Sequence, residues 1–194
     1  VGGAVRQLLE ALENSRSLQV LDLNYNPIGD EGAEALAMAL ESERAGSLQT
    51  LHLCGNRIED RGAVALGRAL KSGCSLRTLE LTQNRVGDLA AQVLGQALES
   101  GCSLRTLELS YNSVGDVGAK ALGHALKSET CLLQKLDLRC NKFGDNGALA
   151  FVEALEKNGA LRALDLGDWP DDNTRLVLSE AAWAPPNAIE LKFS

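Results

Sequence analysis

The chain has 194 residues and a formal net charge of −7 at pH 7. This excess of negative charge disfavours nonspecific binding to nucleic acids and to anionic membranes. The sequence contains no run of eighteen or more apolar residues, so it predicts no membrane span. Apolar residues make up 45% of the chain but aromatic residues only 4%, so we expect a core of aliphatic side chains.

Residues 1–17 predict a helix without a strand of its own. Its apolar residues recur at helical spacing and form one face: Val5, Leu8, Leu9 and Leu12. Leu8 and Leu12 correspond to Leu36 and Leu40 of the next segment, so the sequence begins inside a repeat. Because a terminal repeat needs a polar cap to stay soluble, we expect a fragment of a longer chain or complex, or a further segment that covers this helix.

Five full copies of one pattern follow, and each carries three leucines at spacings of three and two before an asparagine and an apolar helix pattern. The asparagines are separated by steps of 30, 28, 28 and 29 residues. The copies span residues 18–47, 48–75, 76–103, 104–132 and 133–160. Such a period, with the spacing L-x-x-L-x-L-x-x-N-x-L, predicts a solenoid.

This motif resembles that of the leucine-rich repeat family. The length of the copies is similar to that of the ribonuclease-inhibitor-like subtype, whose units of about 28 residues each contain a strand and a full α-helix. The resemblance covers roughly residues 4–166. It implies a right-handed, curved α/β solenoid with a parallel sheet on the concave face and helices on the convex face.

Two further recurring residues are interpreted structurally. The amide of each repeated asparagine can satisfy backbone groups of adjacent turns, as buried polar groups require: Asn26, Asn56, Asn84, Asn112 and Asn141. An aspartate stands just before each helix pattern: Asp30, Asp60, Asp88, Asp116 and Asp145. There a carboxylate can accept hydrogen bonds from the free amides of the first turn of that helix. A calcium site is disfavoured because the neighbouring carboxylates are missing.

Residues 161–194 predict a degenerate repeat and a C-terminal cap. Leu161, Leu164 and Leu166 begin another copy, but Trp169 replaces the asparagine. A short helix over 174–182 follows, and then Ile189, Glu190 and Leu191 predict a strand with only Glu190 facing outward. Trp169 and Trp183 are interpreted as a seal over the last leucine layer, with an aromatic partner-binding spot as the alternative.

The five cysteines predict free thiols rather than a disulfide or metal ladder. Cys74, Cys102 and Cys131 each lie two residues before the first leucine of a copy, where a small half-buried residue suits the loop. No C-x-x-C pair or Cys/His cluster supports a metal site, so no metal or cofactor is expected. Free thiols at this density predict a reducing, cytoplasmic setting.

One outward-facing position of the predicted sheet carries acidic residues in five of six strands. The position between the last two leucines holds Asp22, His52, Glu80, Glu108, Asp137 and Asp165. Like charges on neighbouring strands cost stability, so the pattern favours a concave strip that receives a basic protein surface. Tyr25 and Tyr111 flank the strip as candidate anchors. The alternative is a solvated face that basic residues neutralise in part: Arg77, Arg105, Lys135, Arg139 and Arg162.

The sequence therefore predicts a protein–protein interaction module and no enzyme. His52 and His124 show no nucleophile or carboxylate arranged as a triad, and no phosphate-binding loop is present. The resemblance leaves three alternatives open. They are the ligand-sensing or autoinhibitory repeat region of a NOD-like receptor, a scaffold in a cytoskeletal or ciliary assembly, and a GTPase-activating protein of the Ran-directed type.

Overall fold

The computed structural model of the chain describes residues 17–42, 47–167, 171–183 and 189–193. Short strands alternate with helices along these residues. The strands are β1 (Val20–Asp22), β2 (Thr50–His52), β3 (Thr78–Glu80), β4 (Thr106–Glu108), β5 (Lys135–Asp137), β6 (Ala163–Asp165) and β7 (Glu190–Lys192). The helices are α1 (Gly29–Glu41), α2 (Asp60–Lys71), α3 (Asp88–Glu99), α4 (Asp116–Leu126), α5 (Asp145–Ala148), α6 (Val152–Lys157) and α7 (Asp172–Trp183).

Within the described residues the strands form one parallel sheet in the order β1 to β7, each paired with the next. The central leucines lie in register, as in Leu79 opposite Leu107 and Leu107 opposite Leu136. The helices of successive units pack side by side behind the sheet. This arrangement confirms the predicted α/β solenoid. The predicted helix of residues 1–17 lies outside the described residues, apart from Ser17.

The core is a stack of leucine layers, as the low aromatic content predicts. Leu79 and Leu107 are fully buried, and each contributes roughly 2 kcal/mol by leaving water. Small residues bring adjacent helices close together, since a Cβ added to Gly123 of α4 would meet the carbonyl oxygen of Ala150 at 2.7 Å. The layers thus depend on leucine for volume and on glycine and alanine for close approach.

The fifth unit departs from the full helix that the resemblance implies. Its helix is interrupted by a 3₁₀ turn, Leu149–Phe151, between α5 and α6. Phe151 is fully buried and takes the place that Leu122 holds in the preceding unit. The ring of Phe151, which is larger than a leucine side chain, therefore occupies a leucine layer at the point where the helix becomes a 3₁₀ turn.

Four of the repeated asparagines bridge neighbouring units, which confirms their predicted structural role: Asn56, Asn84, Asn112 and Asn141. Asn84 Nδ2 donates to the carbonyl of Leu53 in the preceding unit at 2.8 Å. Asn84 Oδ1 accepts hydrogen bonds from the amides of Asn56 and Ile58, each at 3.0 Å. The equivalent Asn112 and Asn141 make the same kinds of bonds to their own preceding units.

The prediction that each aspartate caps its own helix is wrong. Asp60 is the first residue of α2, but its Oδ1 accepts hydrogen bonds from Gly87 and Ala90, at the start of α3. Asp30, Asp88 and Asp116 likewise accept two amides each from the next unit. The sideways step between units places the start of the next helix over each carboxylate, so every cap also joins two units.

The last strand has the alternation that the sequence predicts: Ile189 is buried, Glu190 is exposed and Leu191 is half-buried against the core. Leu191 of β7 lies opposite Leu164, which places Lys192 opposite Asp165 and Glu190 opposite Ala163. Glu190 and Lys192 therefore both face outward, on either side of the inward-facing Leu191. Helix α7 covers the helix predicted over 174–182. Trp169 and the side chain of Trp183 lie outside the described part of the structure, and so does the predicted aromatic seal.

Candidate partner-binding surface on the concave sheet

The structure brings the six residues of the predicted strip into one line across the sheet. We call this line the acidic row: Asp22, His52, Glu80, Glu108, Asp137 and Asp165. Each member lies in register with the next, and adjacent strands are about 4.8 Å apart. Lys192 of β7 continues the row at its end.

In the first half of the row, a histidine separates two carboxylates. His52 Nδ1 lies 2.6 Å from Glu80 Oε2, and Asp22 stands opposite His52 on the other side. Asp22 itself accepts a hydrogen bond from the amide of Asn24 at 2.9 Å. Because His52 stands between Asp22 and Glu80, these carboxylates are two strand spacings apart rather than one, which reduces their repulsion.

The middle of the row contains a solvent-facing ion pair. Lys135 Nζ donates to Glu108 Oε1 at 2.7 Å, from the outward-facing position of β5 next to the row. This hydrogen bond raises the pKa of Lys135 above its ordinary value. Since both side chains remain partly open to water, the pair adds little to stability.

At the far end of the row, one guanidinium holds two carboxylates. Arg139 binds Asp137 through Nη2 at 2.8 Å and through Nε at 3.1 Å. Its Nε also lies 3.3 Å from Asp165 Oδ2. The hydrogen bond to Asp137 raises the pKa of Arg139 above its usual value. Asp137 and Asp165 are buried, so at this end the charge that meets the solvent is the arginine.

The remaining basic residues that were predicted to neutralise the row are placed differently. Arg105 Nη1 donates to the carbonyl oxygens of Ser103 and Leu104. Arg162 Nη1 does the same with Gly159 and Leu161. These two arginines stabilise the loops before β4 and β6, while Lys135 and Arg139 pair with the row. Arg77 is exposed in the turn before β3.

Tyr25 and Tyr111 lie beyond the carboxyl ends of β1 and β4, and both are exposed. Each has a left-handed backbone, with φ of 58° and 54°. The ring of Tyr25 covers Gly55 of the next unit, where an added Cβ would lie 2.7 Å from the ring. Hydrogen bonds to Cys54 and Cys140 raise the pKa of Tyr25 and Tyr111 respectively. The tyrosines therefore form one rim of the concave surface.

All five cysteines are free, and four of them are buried: Cys54, Cys74, Cys102 and Cys131. Burial raises the pKa of the thiols of Cys74, Cys102 and Cys131. A protonated thiol that solvent cannot reach is unreactive. This agrees with the packing role predicted for the loop cysteines.

We expect a thiol reagent such as DTNB, at about pH 8, to modify one cysteine of the native protein rapidly, the exposed Cys140. The other four are expected to react only after unfolding. Peptide mass spectrometry of labelled protein identifies the site, and Cys140→Ser is expected to abolish the fast phase. Rapid modification of Cys74 in native protein would contradict the burial described above.

The described residues contain no group of three or more His, Cys, Asp or Glu side chains that could hold a metal ion. Among the helices in that part of the chain, none has the length and apolar character needed to cross a bilayer.

The second histidine of the chain, His124, lies on the exposed face of α4, and its Nδ1 is 2.8 Å from Glu99 Oε1.

The sequence matches the family described as Leucine Rich repeat over residues 14–37, 47–67, 74–95, 102–123 and 131–152. The chain therefore belongs to the leucine-rich repeat family. Among curated proteins, none matches this sequence at a significant level.

This chain is similar to several solved structures, and the first of them supports the same fold. The first is the leiomodin-1 actin-binding site 2, with 17% identity and a TM-score of 0.52 over 90% of this chain and 85% of that one. Another is TLR13 in complex with ssRNA13, with 18% identity and a TM-score of 0.46 over 96% of this chain and 30% of that one. A third is a chain of the octameric complex of latrophilin 3, Unc5D and FLRT2, with 16% identity and a TM-score of 0.31 over 92% and 70%.

Proposed function

We propose that this chain is a protein-interaction module whose concave surface binds a basic segment of a partner protein. The binding residues are the members of the acidic row that remain open to solvent, together with two tyrosines: Asp22, His52, Glu80, Glu108, Tyr25 and Tyr111. The unit length favours the ribonuclease-inhibitor-like subtype. In such a repeat the outward-facing strand residues do not pack in the core, so this surface is available to a partner. The free thiols further favour a reducing, cytoplasmic setting.

The observation that supports this proposal is the placement of Glu80 and Glu108. Their side chains lie next to each other in register on β3 and β4, and both are partly open to solvent. Like charges directly opposite each other destabilise a sheet, and the core requires neither. A basic partner would turn this repulsion into attraction, and electrostatic complementarity of this kind gives specificity and fast association.

A double charge reversal tests the proposal. With octalysine as a defined basic probe, we expect Glu80→Lys combined with Glu108→Lys to weaken binding about tenfold or more, because two attractions become two repulsions. Isothermal titration calorimetry in low salt measures the affinity, and circular dichroism confirms that the variant is folded. Added salt is expected to weaken the binding of the original protein.

The matched control is Glu31→Lys combined with Glu156→Lys, which changes the net charge equally on exposed positions of α1 and α6. We expect this control to bind octalysine within about twofold of the original protein. Equal losses in both double variants would show that net charge alone attracts the probe, and the concave surface would lose its assigned role.

The three alternatives from the resemblance make different demands on the chain. A Ran-directed GTPase activator would accelerate GTP hydrolysis in a stimulated assay, which a binding module would not do. A NOD-like receptor region would need a nucleotide-binding domain in the same gene. A cytoskeletal or ciliary scaffold would place its contacts on the convex helices or the end caps, and the double variant of Glu80 and Glu108 would then leave partner binding unchanged.

A further inference from the structure

The concave surface contains a small pocket beside the far end of the acidic row. It has a volume of about 180 Å³ and opens between β5, β6 and β7. Ala163 forms part of its lining, because the short methyl group stands where β5 carries Lys135 and β7 carries Glu190. The pocket thus arises from one small residue in an outward-facing stripe of larger side chains.

The cationic side chains around this pocket are more exposed to solvent than the two aspartates. The side chains of Lys135, Lys192 and Arg139 are 50%, 51% and 39% exposed. The carboxylates of Asp137 and Asp165 are only 4% and 12% exposed, and the guanidinium of Arg139 is bonded to both.

Lys135 also pairs with Glu108 at 2.7 Å and Lys192 with Glu190 at 3.0 Å, but an ammonium has three donors and each of these pairs uses one. A group that enters the pocket therefore meets exposed cations with donors left over, while the two aspartates are engaged by Arg139. Arginine in particular offers several donors that match the geometry of a carboxylate.

We propose that this pocket, which we call the carboxylate pocket, binds an acidic side chain of the same partner segment that the acidic row binds. The inference rests on the proposed function and fixes the orientation of the partner segment across the sheet. Its basic side chains lie over Glu80 and Glu108, and its acidic side chain lies over Ala163. The concave surface then selects a segment with both charges in a fixed order rather than any basic protein.

The strand spacing sets the separation of these charges. Glu108 is in line with Asp165 of β6, and Ala163 lies two residues before Asp165, so two strand spacings across the sheet and about 7 Å along the strand give a separation of about 12 Å. An extended peptide covers this distance in about three to four residues. A minimal probe is therefore acetyl-Lys-Lys-Ala-Ala-Glu-amide, and its matched control replaces only the glutamate by glutamine.

Titration of the ¹⁵N-labelled chain with both peptides, followed by NMR chemical shifts, tests the inference. We expect both peptides to shift amides around Glu80 and Glu108. Only the glutamate peptide is expected to shift the Ala163 amide and the Arg139 Nε–H, and its dissociation constant is expected to be about fivefold lower. Ala163→Leu, which fills the pocket without changing charge, is expected to abolish this preference. Thr50→Leu adds the same side chain at the equivalent position of β2 and is expected to keep it.

The possible failures are distinguishable. Equal affinities for the two peptides, with shifts confined to the surroundings of Glu80 and Glu108, overturn the carboxylate pocket and leave the proposed function intact. Shifts confined to Ala163 and Arg139 support the pocket and overturn the role of the row. An absence of shifts in both places overturns both proposals. A preference that persists in Ala163→Leu shows that the glutamate binds elsewhere and also overturns the pocket.

Discussion

Replacement of Asn112 by alanine is expected to lower the free energy of unfolding by about 3 kcal/mol or more. Asn112 Nδ2 donates to the carbonyl oxygens of Leu81, Leu109 and Ser110, at 2.8, 3.0 and 3.2 Å. Its Oδ1 accepts a hydrogen bond from the amide of Val86 at 2.9 Å. The side chain is buried, so water does not readily replace these bonds, and each orphaned group costs about 1–3 kcal/mol.

Asn26→Ala is the matched control for this prediction. Asn26 occupies the same position of the first unit, but it is exposed and its amide donates to Leu23 and Asn24 of its own unit. We therefore expect a loss of less than about 1 kcal/mol. Urea unfolding monitored by circular dichroism compares the two variants. Similar losses at both positions would show that bridging between units contributes little.

Asp88→Ala is expected to destabilise the protein by about 2 kcal/mol. Asp88 Oδ1 accepts hydrogen bonds from Gly115 at 2.7 Å and from Gly118 at 2.8 Å. These amides begin α4, where a helix leaves its first donors without partners and favours a negative charge. The substitution removes the cap of one helix and a link between two units together, so its cost lies at the upper end of the range for helix caps.

Asp145→Ala provides the comparison for the second prediction. Asp145 is also the first residue of a helix, but its Oδ1 accepts one solvent-exposed hydrogen bond, from the backbone N–H of Asp171 at 3.1 Å. Effects on the helix that contains the aspartate are therefore similar in the two variants. We expect a loss of less than about 1 kcal/mol for Asp145→Ala in thermal or urea unfolding. If both variants lose the same stability, each aspartate acts mainly within its own helix.

The leucine layers and the acidic row could be predicted from the sequence because both depend on short spacings. In Leu107-Glu108-Leu109, alternation along the strand alone places Glu108 outside. The repeat period then aligns it with Glu80, since equal positions of stacked units lie side by side.

The capping partner of the aspartates could not be predicted in this way. The sequence shows Asp88 beside α3, its own helix, and the capping rule applied to that helix gives the wrong partner. The observed bond to Gly115 depends on how far one unit is displaced against the next, which no spacing within a unit reveals.

The register of β7 was ambiguous for a different reason. Ile189, Leu191 and Phe193 alternate with polar residues, so alternation permits a shift of two positions. Pairing of Leu191 with Leu164 decides it, and only then does Lys192 join the row.

The burial of Asp137 carried a signal that the sequence interpretation did not use. Arg139 follows it by two residues, and residues two apart on a strand face the same side. An acidic residue with such a neighbour differs from Glu80, which has Thr82 in the same place. Charge alone does not separate accessible members of the row from those held within the sheet.

The links between units have a consequence for how such a protein can evolve. Each link joins the same positions of two neighbours, as when Asn84 accepts the amide of Ile58 and Asn112 accepts that of Val86. Loss of residues 76–103 from the gene would leave Ile58 facing Asn112, with every joint of the same kind as before. Duplication of that segment would have the opposite effect and would lengthen the sheet by about 4.8 Å. Descendants of this chain could thus change the length of partner they accommodate in whole steps, without redesign of the interior.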